Sequence, residues 1–255
     1  MISSDSALIG FSGFVGSNLL AGGKFNYLYN SKNINEIEGR SFDLVVCAGV
    51  SAVKWLANKE PEQDQAAINS LIASLKRTAV KKFVLISTVD VYGDAQSHGE
   101  SQIPHSVEPY GKHRFALEKF TEETFQDPHI VRLPGLFGPG LKKNVIFDLL
   151  NDNLVEKIVP NAHFQWYPVR RLVDDVQTVI SQQIPLLNVC SEPISNGEVV
   201  ERFFPNKKIG VASADAPHYD IRTELAGVLK GRGCYHLTKA VVVDELRRYV
   251  EGERL

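Results

Sequence analysis

Short apolar runs alternate with stretches of helical period through the first half of the chain. Ala7-Leu8-Ile9 predicts a first strand, Phe14 to Leu20 opens a first helix, and Tyr27-Leu28-Tyr29 predicts a second strand. Phe42 to Ala48 and Phe83 to Ser87 have the unbroken hydrophobicity of strands buried on both faces. Between them, Ile68, Leu71, Ile72, Leu75 and Ala79 recur at helical spacing behind Pro61, the mark of an amphipathic helix. A helix over 110–125 and a strand at Ile130-Val131-Arg132-Leu133 complete the series. Strand and helix in alternation predict parallel βαβ units, and so an α/β chain built on a doubly wound parallel sheet.

Beyond Gly140 the alternation loosens. A helix near 144–151 leads into a less regular stretch up to Arg171. Leu172 to Val176, with Val179 and Ile180, reads as a helix packed back on the sheet, and Leu186 to Cys190 as a further strand. A helix follows Ser195, and a C-terminal one carries Val241, Leu246 and Val250. The expected organisation is a cofactor-type domain over 1–140, with a returning segment near 172–192. A small interleaved C-terminal lobe takes 141–171 and 193–255.

Composition narrows the function classes. Of 255 residues, 44% are hydrophobic and 23% charged, ordinary for a globular protein of one large domain or a domain with a small second lobe. A net charge of −2 gives no overall pull toward nucleic acid or a membrane surface. Cys47, Cys190 and Cys234 lie far apart, with no Cys-x-x-Cys or His-rich cluster, so no metal is expected. Reduced cysteines, an N-terminus without a basic leader and the lack of a bilayer-length apolar segment point to a cytoplasmic protein.

Gly10-Phe11-Ser12-Gly13-Phe14-Val15-Gly16 follows the first strand and opens a helix. Glycines here permit a tight turn, close approach of backbone to a pyrophosphate and close helix–strand packing. The free N–H groups of the helix start, Phe14 and Val15 among them, favour phosphate. The Gly-x-x-Gly-x-x-Gly spacing resembles the extended short-chain dehydrogenase/reductase family, the NAD-dependent epimerases and dehydratases. Later segments agree: Asp43 to Gly49, Ser87-Thr88-Val89-Asp90-Val91-Tyr92-Gly93, Glu100 with Pro109-Tyr110-Gly111, Arg132 to Gly140, and Val173-Asp174-Asp175-Val176. The resemblance spans most of residues 7–200 and implies a Rossmann-type fold.

It also implies roles. Thr88 falls on the catalytic Ser/Thr, Tyr110 on the tyrosine that exchanges a proton with a substrate oxygen, and Arg114 on the family's lysine. Tyr110 and Arg114, four residues apart, project from one helix face, and a cation there is expected to lower the tyrosine pKa. Arginine keeps the charge but cannot join a proton relay. Asp90 stands where 4,6-dehydratases of the family have an acid/base glutamate; a loop aspartate capping a turn is the plainer reading. His113 reads as an ordinary exposed helical histidine. The resemblance places the cofactor, NADP or NAD, against Gly10, Ser12, Gly13, Phe14, Val15, Gly16, Ala48, Gly49, Tyr110, Arg114, Pro134 and Leu136. At the end of the second strand, Tyr29-Asn30-Ser31-Lys32 lacks the carboxylate that would select NAD, and Ser31 and Lys32 can meet a 2′-phosphate.

Substrate candidates are Thr88, Gly135, Lys142, Asn144, Arg170 and Arg171, the basic ones for a diphosphate, with Tyr219 and Arg222 further on. Trp55, Phe164 and Trp166 offer stacking surfaces or core. The implied activity is tyrosine-assisted hydride transfer on a sugar or nucleotide sugar, as an oxidoreductase or epimerase in preference to a dehydratase. A cofactor-binding sensor or scaffold without turnover is the alternative. A homodimer through 68–75 and 110–125 follows by analogy.

Overall fold

The computed structural model describes residues 5–253; residues 1–4, at the start of the segment read above for a leader, and 254–255 lie outside the described residues. Along the chain run β1 (Ser6–Ile9), α1 (Phe14–Gly22), β2 (Tyr27–Tyr29), β3 (Ser41–Cys47), α2 (Lys54–Lys59), α3 (Pro61–Leu75) and β4 (Ala79–Thr88). There follow α4 (Pro109–Thr124), β5 (Pro128–Leu133), β6 (Gly135–Phe137), α5 (Val145–Asn151), β7 (His163–Phe164) and β8 (Trp166–Pro168). The last elements are α6 (Leu172–Ser181), β9 (Leu186–Asn188), β10 (Ile194–Ser195), α7 (Asn196–Phe203) and α8 (Lys239–Glu253). The chain divides into two compact units. One takes the chain up to Asp94, Glu100–Leu133 and Arg170–Asn188; the other takes Ala95–Gly99, Pro134–Val169 and the chain from Val189. The change of unit after Leu133 comes earlier than Gly140.

The first unit is an α/β fold around six parallel strands in the order β2-β1-β3-β4-β5-β9. The chain steps outward from β1 to β2, then crosses to the other side of β1 for β3. Loops at the carboxyl ends of β1 and β3 therefore diverge where strand order reverses, the position at which open α/β sheets bind their ligands. The runs that read as buried strands are buried. Ala7, Ile9, Val45, Cys47, Phe83, Leu85 and Ile130 form one core with Ile68, Leu71 and Leu75 of α3 and Leu117 of α4. Phe83 and Phe125 stack at 4.0 Å within it.

Behind the carboxyl half of β4 and β5 the core is polar. Arg132 of β5 pairs with Glu118 of α4 at 2.6 Å, both buried. The Ser87 hydroxyl donates to Glu118 at 2.5 Å, and Arg132 donates to the Tyr92 hydroxyl at 2.7 Å. Asn188 at the end of β9 donates to that same hydroxyl, and its backbone N–H donates to Glu100. A carboxylate and a guanidinium taken out of water must be compensated by neighbours, and here every one is supplied.

The second unit has two short sheets, β6 with β8 in parallel and β7 with β10 antiparallel, with α5, α7 and α8. Gln165 is its hub. Its amide donates to the carbonyls of Ser191 and Ile221 at 2.5 and 2.7 Å and accepts from the Ile221 N–H at 2.7 Å. Ser195 and Glu198 close a reciprocal capping box at the start of α7. Strands of two or three residues carry too few alternations to register as a period, which is why 152–171 reads as irregular. The helix α2 escapes the sequence for the same reason. Among the described residues, no helix is long and apolar enough to cross a membrane.

Candidate active site

The glycine loop caps the carboxyl end of β1. Gly10 has φ +85, and a Cβ there would lie 2.3 Å from the Ala48 carbonyl oxygen; a Cβ on Gly16 would lie 2.0 Å from the Gly10 oxygen. Only glycine lets the start of α1, the end of β1 and the loop after β3 come this close. The first turn of α1 has neither a side-chain cap nor an acidic residue, so its positive end is open to an anion. Ser12 and Gly13 are exposed and Phe14 and Val15 half-buried at this mouth, beside Ala48 and exposed Gly49. After β2, the Asn30 carboxamide accepts from the Lys32 N–H at 2.9 Å and donates to the Ser12 hydroxyl at 3.5 Å. Ser31 and Lys32 are exposed there. The residues fit a dinucleotide pyrophosphate: small, backbone-lined and free of carboxylates.

The loop after β3 runs from this mouth to a second cluster. Thr88 ends β4 and caps the following 3-10 turn, accepting from the Asp90 N–H at 3.2 Å. Gly111 allows α4 to pack on that turn, since a Cβ would lie 2.3 Å from the Asp90 carbonyl oxygen. This contact brings Tyr110, only 6% exposed, beside the Thr88 side chain, whose hydroxyl favours the phenolate. The Tyr110 N–H, at the open start of α4, donates to Asn58 of α2 at 2.9 Å. Thr88, Asp90, Tyr110 and Arg114 are thus brought together.

Arg114 lies with its guanidinium carbon 4.0 Å from the centre of the Tyr110 ring. Its N–H groups donate to both oxygens of Asp64, at 2.5 and 2.8 Å, to the Ser51 carbonyl at 2.5 Å and to the Tyr110 carbonyl at 3.2 Å. Asp64, on the first turn of α3, also takes the Nδ1 of His113 at 2.8 Å. Burial pushes the Asp64 carboxyl up, but hydrogen bonds and charge from Arg114 and His113 outweigh it and hold the pKa below the usual carboxylate range.

Several expectations change here. The Tyr110 pKa is raised: burial dominates, and the lowering by Arg114 does not overcome it. His113 is buried against Asp64 instead of exposed. At Asp90, the Thr88 hydroxyl accepts from the backbone N–H, and Oδ1 meets the Lys54 ammonium at 2.7 Å. Trp55 belongs to no core, with 66% of its surface exposed, whereas Trp166 is buried and Phe164 stacks on Tyr219 at 5.5 Å. In the second unit, Asn144 is occupied as the cap of α5, accepting from the N–H groups of Ile146 and Phe147 and donating to the Leu136 carbonyl at 2.8 Å. Gly135 lies against Trp166, where a Cβ would come within 2.9 Å of the indole, and Pro134 beside it is half-buried. Lys142 and Arg222 are exposed, Arg222 pairing with Asp220. In the first unit, Arg170 is exposed and Arg171 lies 4.0 Å from Asp175.

Sequence reasoning missed Lys54, Asn58 and Asp64. Lys54 and Asn58 sit four apart on α2, a helix too short to show a period. Asp64 in a helix's first turn reads as a dipole partner, and nothing local reveals a partner 50 positions away.

The comparisons bear on this architecture. The family model described as "NAD dependent epimerase/dehydratase family" matches residues 26–166, more than half of the chain. No curated protein sequence matches. Among solved structures, the UDP-glucose 4-epimerase of Thermotoga maritima with UDP-glucose is 16% identical, covers 98% of each chain and has a TM-score of 0.73. TunA, an NAD-dependent NDP-hexosamine 5,6-dehydratase involved in tunicamycin biosynthesis, is 18% identical over 97% of each chain, TM-score 0.76. RMD from Pseudomonas aeruginosa complexed with NADPH is 18% identical over 98% of each chain, TM-score 0.73. These likenesses establish the Rossmann-type fold. The family match, over more than half of the chain, gives the lineage: the chain belongs to the NAD-dependent epimerase/dehydratase family of enzymes.

Proposed function

We propose that this enzyme oxidises or reduces a carbon of a nucleotide-activated sugar, as a reductase or epimerase, with Tyr110 exchanging the proton and Thr88 orienting the substrate oxygen. The observation that carries the reading is the buried Tyr110 phenol set beside half-buried Thr88 at the carboxyl end of β4, fixed by the packing of Gly111 on the Asp90 turn. When bound, the nicotinamide cofactor supplies or accepts the hydride. The chain's own part is to hold the substrate oxygen between two hydroxyls and to accept or return its proton. Arg114, stacked on the phenol ring and anchored by Asp64, sets the ring's position and favours the phenolate against the burial that opposes it.

The nucleotide-sugar class rests on the solved relatives: UDP-glucose in one, an NDP-hexosamine in another. For the cofactor we favour NADP. Ser31 and Lys32 stand exposed after β2, and the Asn30 carboxamide occupies the loop where a carboxylate would repel a 2′-phosphate. Lys142, Arg170 and Arg171 are the substrate-diphosphate candidates, and a homodimer through the faces of α3 and α4 belongs to the same reading.

The test is direct. Purified protein should bind NADPH more tightly than NADH by fluorescence titration. It should reduce NADP+ or NAD+ when offered UDP-sugars, with Tyr110→Phe binding cofactor but failing to turn over. Equal turnover by Tyr110→Phe and wild type removes Tyr110 from the reaction.

A further inference from the structure

The lysine that Arg114 replaces carries a proton it can lend; a guanidinium does not release one. Arg114 is also committed, its N–H groups directed to Asp64 and to two carbonyls. The exchangeable groups at Tyr110 come from elsewhere in the chain. Thr88 lies beside the phenol, where its hydroxyl favours the phenolate. The Thr88 hydroxyl reaches Asp90 Oδ2 at 3.5 Å, and Asp90 Oδ1 meets the Lys54 ammonium at 2.7 Å. Exposure rises along this series, from the buried phenol through Asp90 at 21% to Lys54 at 46% of its side chain.

We propose that Thr88 and Asp90 form the path by which the Tyr110 proton reaches water, with Lys54 as the positioning cation that holds Asp90 at its solvent end. This rests on the function proposed above, in which Tyr110 handles the substrate proton. In the oxidative direction the substrate O–H bond breaks and its proton bonds to the Tyr110 phenolate oxygen, while the carbon's hydride, with the electron pair, goes to the nicotinamide. Tyr110 passes that proton to the Thr88 oxygen as the proton already on Thr88 moves to Asp90 Oδ2. Asp90 releases it to water, and the Lys54 ammonium balances the carboxylate that remains. Reduction runs the path backwards. The lysine's two tasks are thereby divided: Arg114 places the ring, and the Lys54–Asp90 pair serves the proton.

The charged groups facing Tyr110 are Arg114 of its own helix, Asp90 of the turn after β4 and Lys54 of α2. Lys54 favours the phenolate and Asp90 opposes it, so the two sites carry opposite signs. The test uses the cofactor-free full chain labelled with 13Cζ-tyrosine, the Tyr110 resonance assigned by its loss in Tyr110→Phe. Lys54→Met should move the Tyr110 titration midpoint up, and Asp90→Asn should move it down, each by about half a pH unit or more. Lys54→Arg, which restores the charge, should return the midpoint to near wild type. Midpoints identical in all four proteins overturn the path.

Turnover gives the second arm, with UDP-glucose as probe. Lys54→Met should lower kcat about tenfold with little change in KM, and Lys54→Arg should recover most of it. Full kcat in both Lys54→Met and Asp90→Asn overturns the proposal. A wild-type protein that binds no nicotinamide cofactor and oxidises no sugar nucleotide counts against the functional reading instead, and the titration still decides the path.

Discussion

Two arginines in the first unit are buried against a carboxylate and stacked on a tyrosine, and they do opposite things. Arg132 lies 4.9 Å over the Tyr92 ring and pairs with Glu118; Arg114 lies 4.0 Å over the Tyr110 ring and pairs with Asp64. Burial raises both phenols above their ordinary range. The difference is in the hydroxyls. Arg132 donates to the Tyr92 hydroxyl, which Asn188 also holds, so that phenol is enclosed by scaffold. Arg114 sends its N–H groups to Asp64 and to backbone carbonyls, leaving the Tyr110 hydroxyl to Thr88 at the end of the sheet. One guanidinium closes a phenol off. The other fixes a ring and keeps its oxygen available.

The comparison breaks most forcefully at Glu118. Glu118→Ala leaves Arg132 buried without its counter-charge and should cost about 3–5 kcal/mol, read as a fall in the urea midpoint at constant slope. The double change Glu118→Leu with Arg132→Met removes both charges and should recover much of that loss. Tyr110→Phe and Tyr92→Phe then separate chemistry from scaffold. Tyr110→Phe should keep its urea midpoint near wild type while kcat falls about 10²–10⁴-fold. Tyr92→Phe orphans donors on Arg132 and Asn188 and should lose about 1–3 kcal/mol of stability with kcat retained. If both variants lose stability alike and neither loses kcat, the distinction between the two phenols fails.

How much of this was legible depends on the range of each interaction. The parallel sheet was readable because buried strands such as Phe42–Ala48 and Phe83–Ser87 carry their burial in their own hydrophobicity. The glycine loop was readable because Gly10 takes a positive φ and Gly16 packs on the Gly10 carbonyl within the same motif. Tyr110 and Arg114 were visible as one helix face. What they do there was not, because burial raises the pKa of Tyr110 and Asp64 anchors the Arg114 side chain, and neither is written locally. Lys54 and Asp90 meet across 36 positions, through a helix too short to announce itself. The irregular stretch before Arg171 stayed opaque because its strands are held by Gln165 and tertiary bonds rather than by pattern.

Arg114→Lys tests whether the site needs a guanidinium or only a positive charge. Lysine cannot make the two-pronged contact with Asp64 and reach the Ser51 carbonyl as well, so about 1–2 kcal/mol of stability should go, and kcat should fall severalfold as the ring loses its clamp. Undiminished kcat would mean that a cation suffices.

The smallest effect concerns acid. The folded-state pKa of Asp64 is depressed, because the bonds from Arg114 and His113 outweigh burial. A depressed carboxylate contributes stability that is fully present above its unfolded pKa and is lost as pH falls through the folded one. The advantage of wild type over Asp64→Asn in urea denaturation should therefore be constant near neutrality. It should shrink as pH drops from the ordinary aspartate range, about 4, toward 2. A gap between wild type and Asp64→Asn that stays flat down to pH 2 would mean that Asp64 holds Arg114 by geometry and not by charge. The two buried arginines would then differ less than their hydroxyl contacts imply.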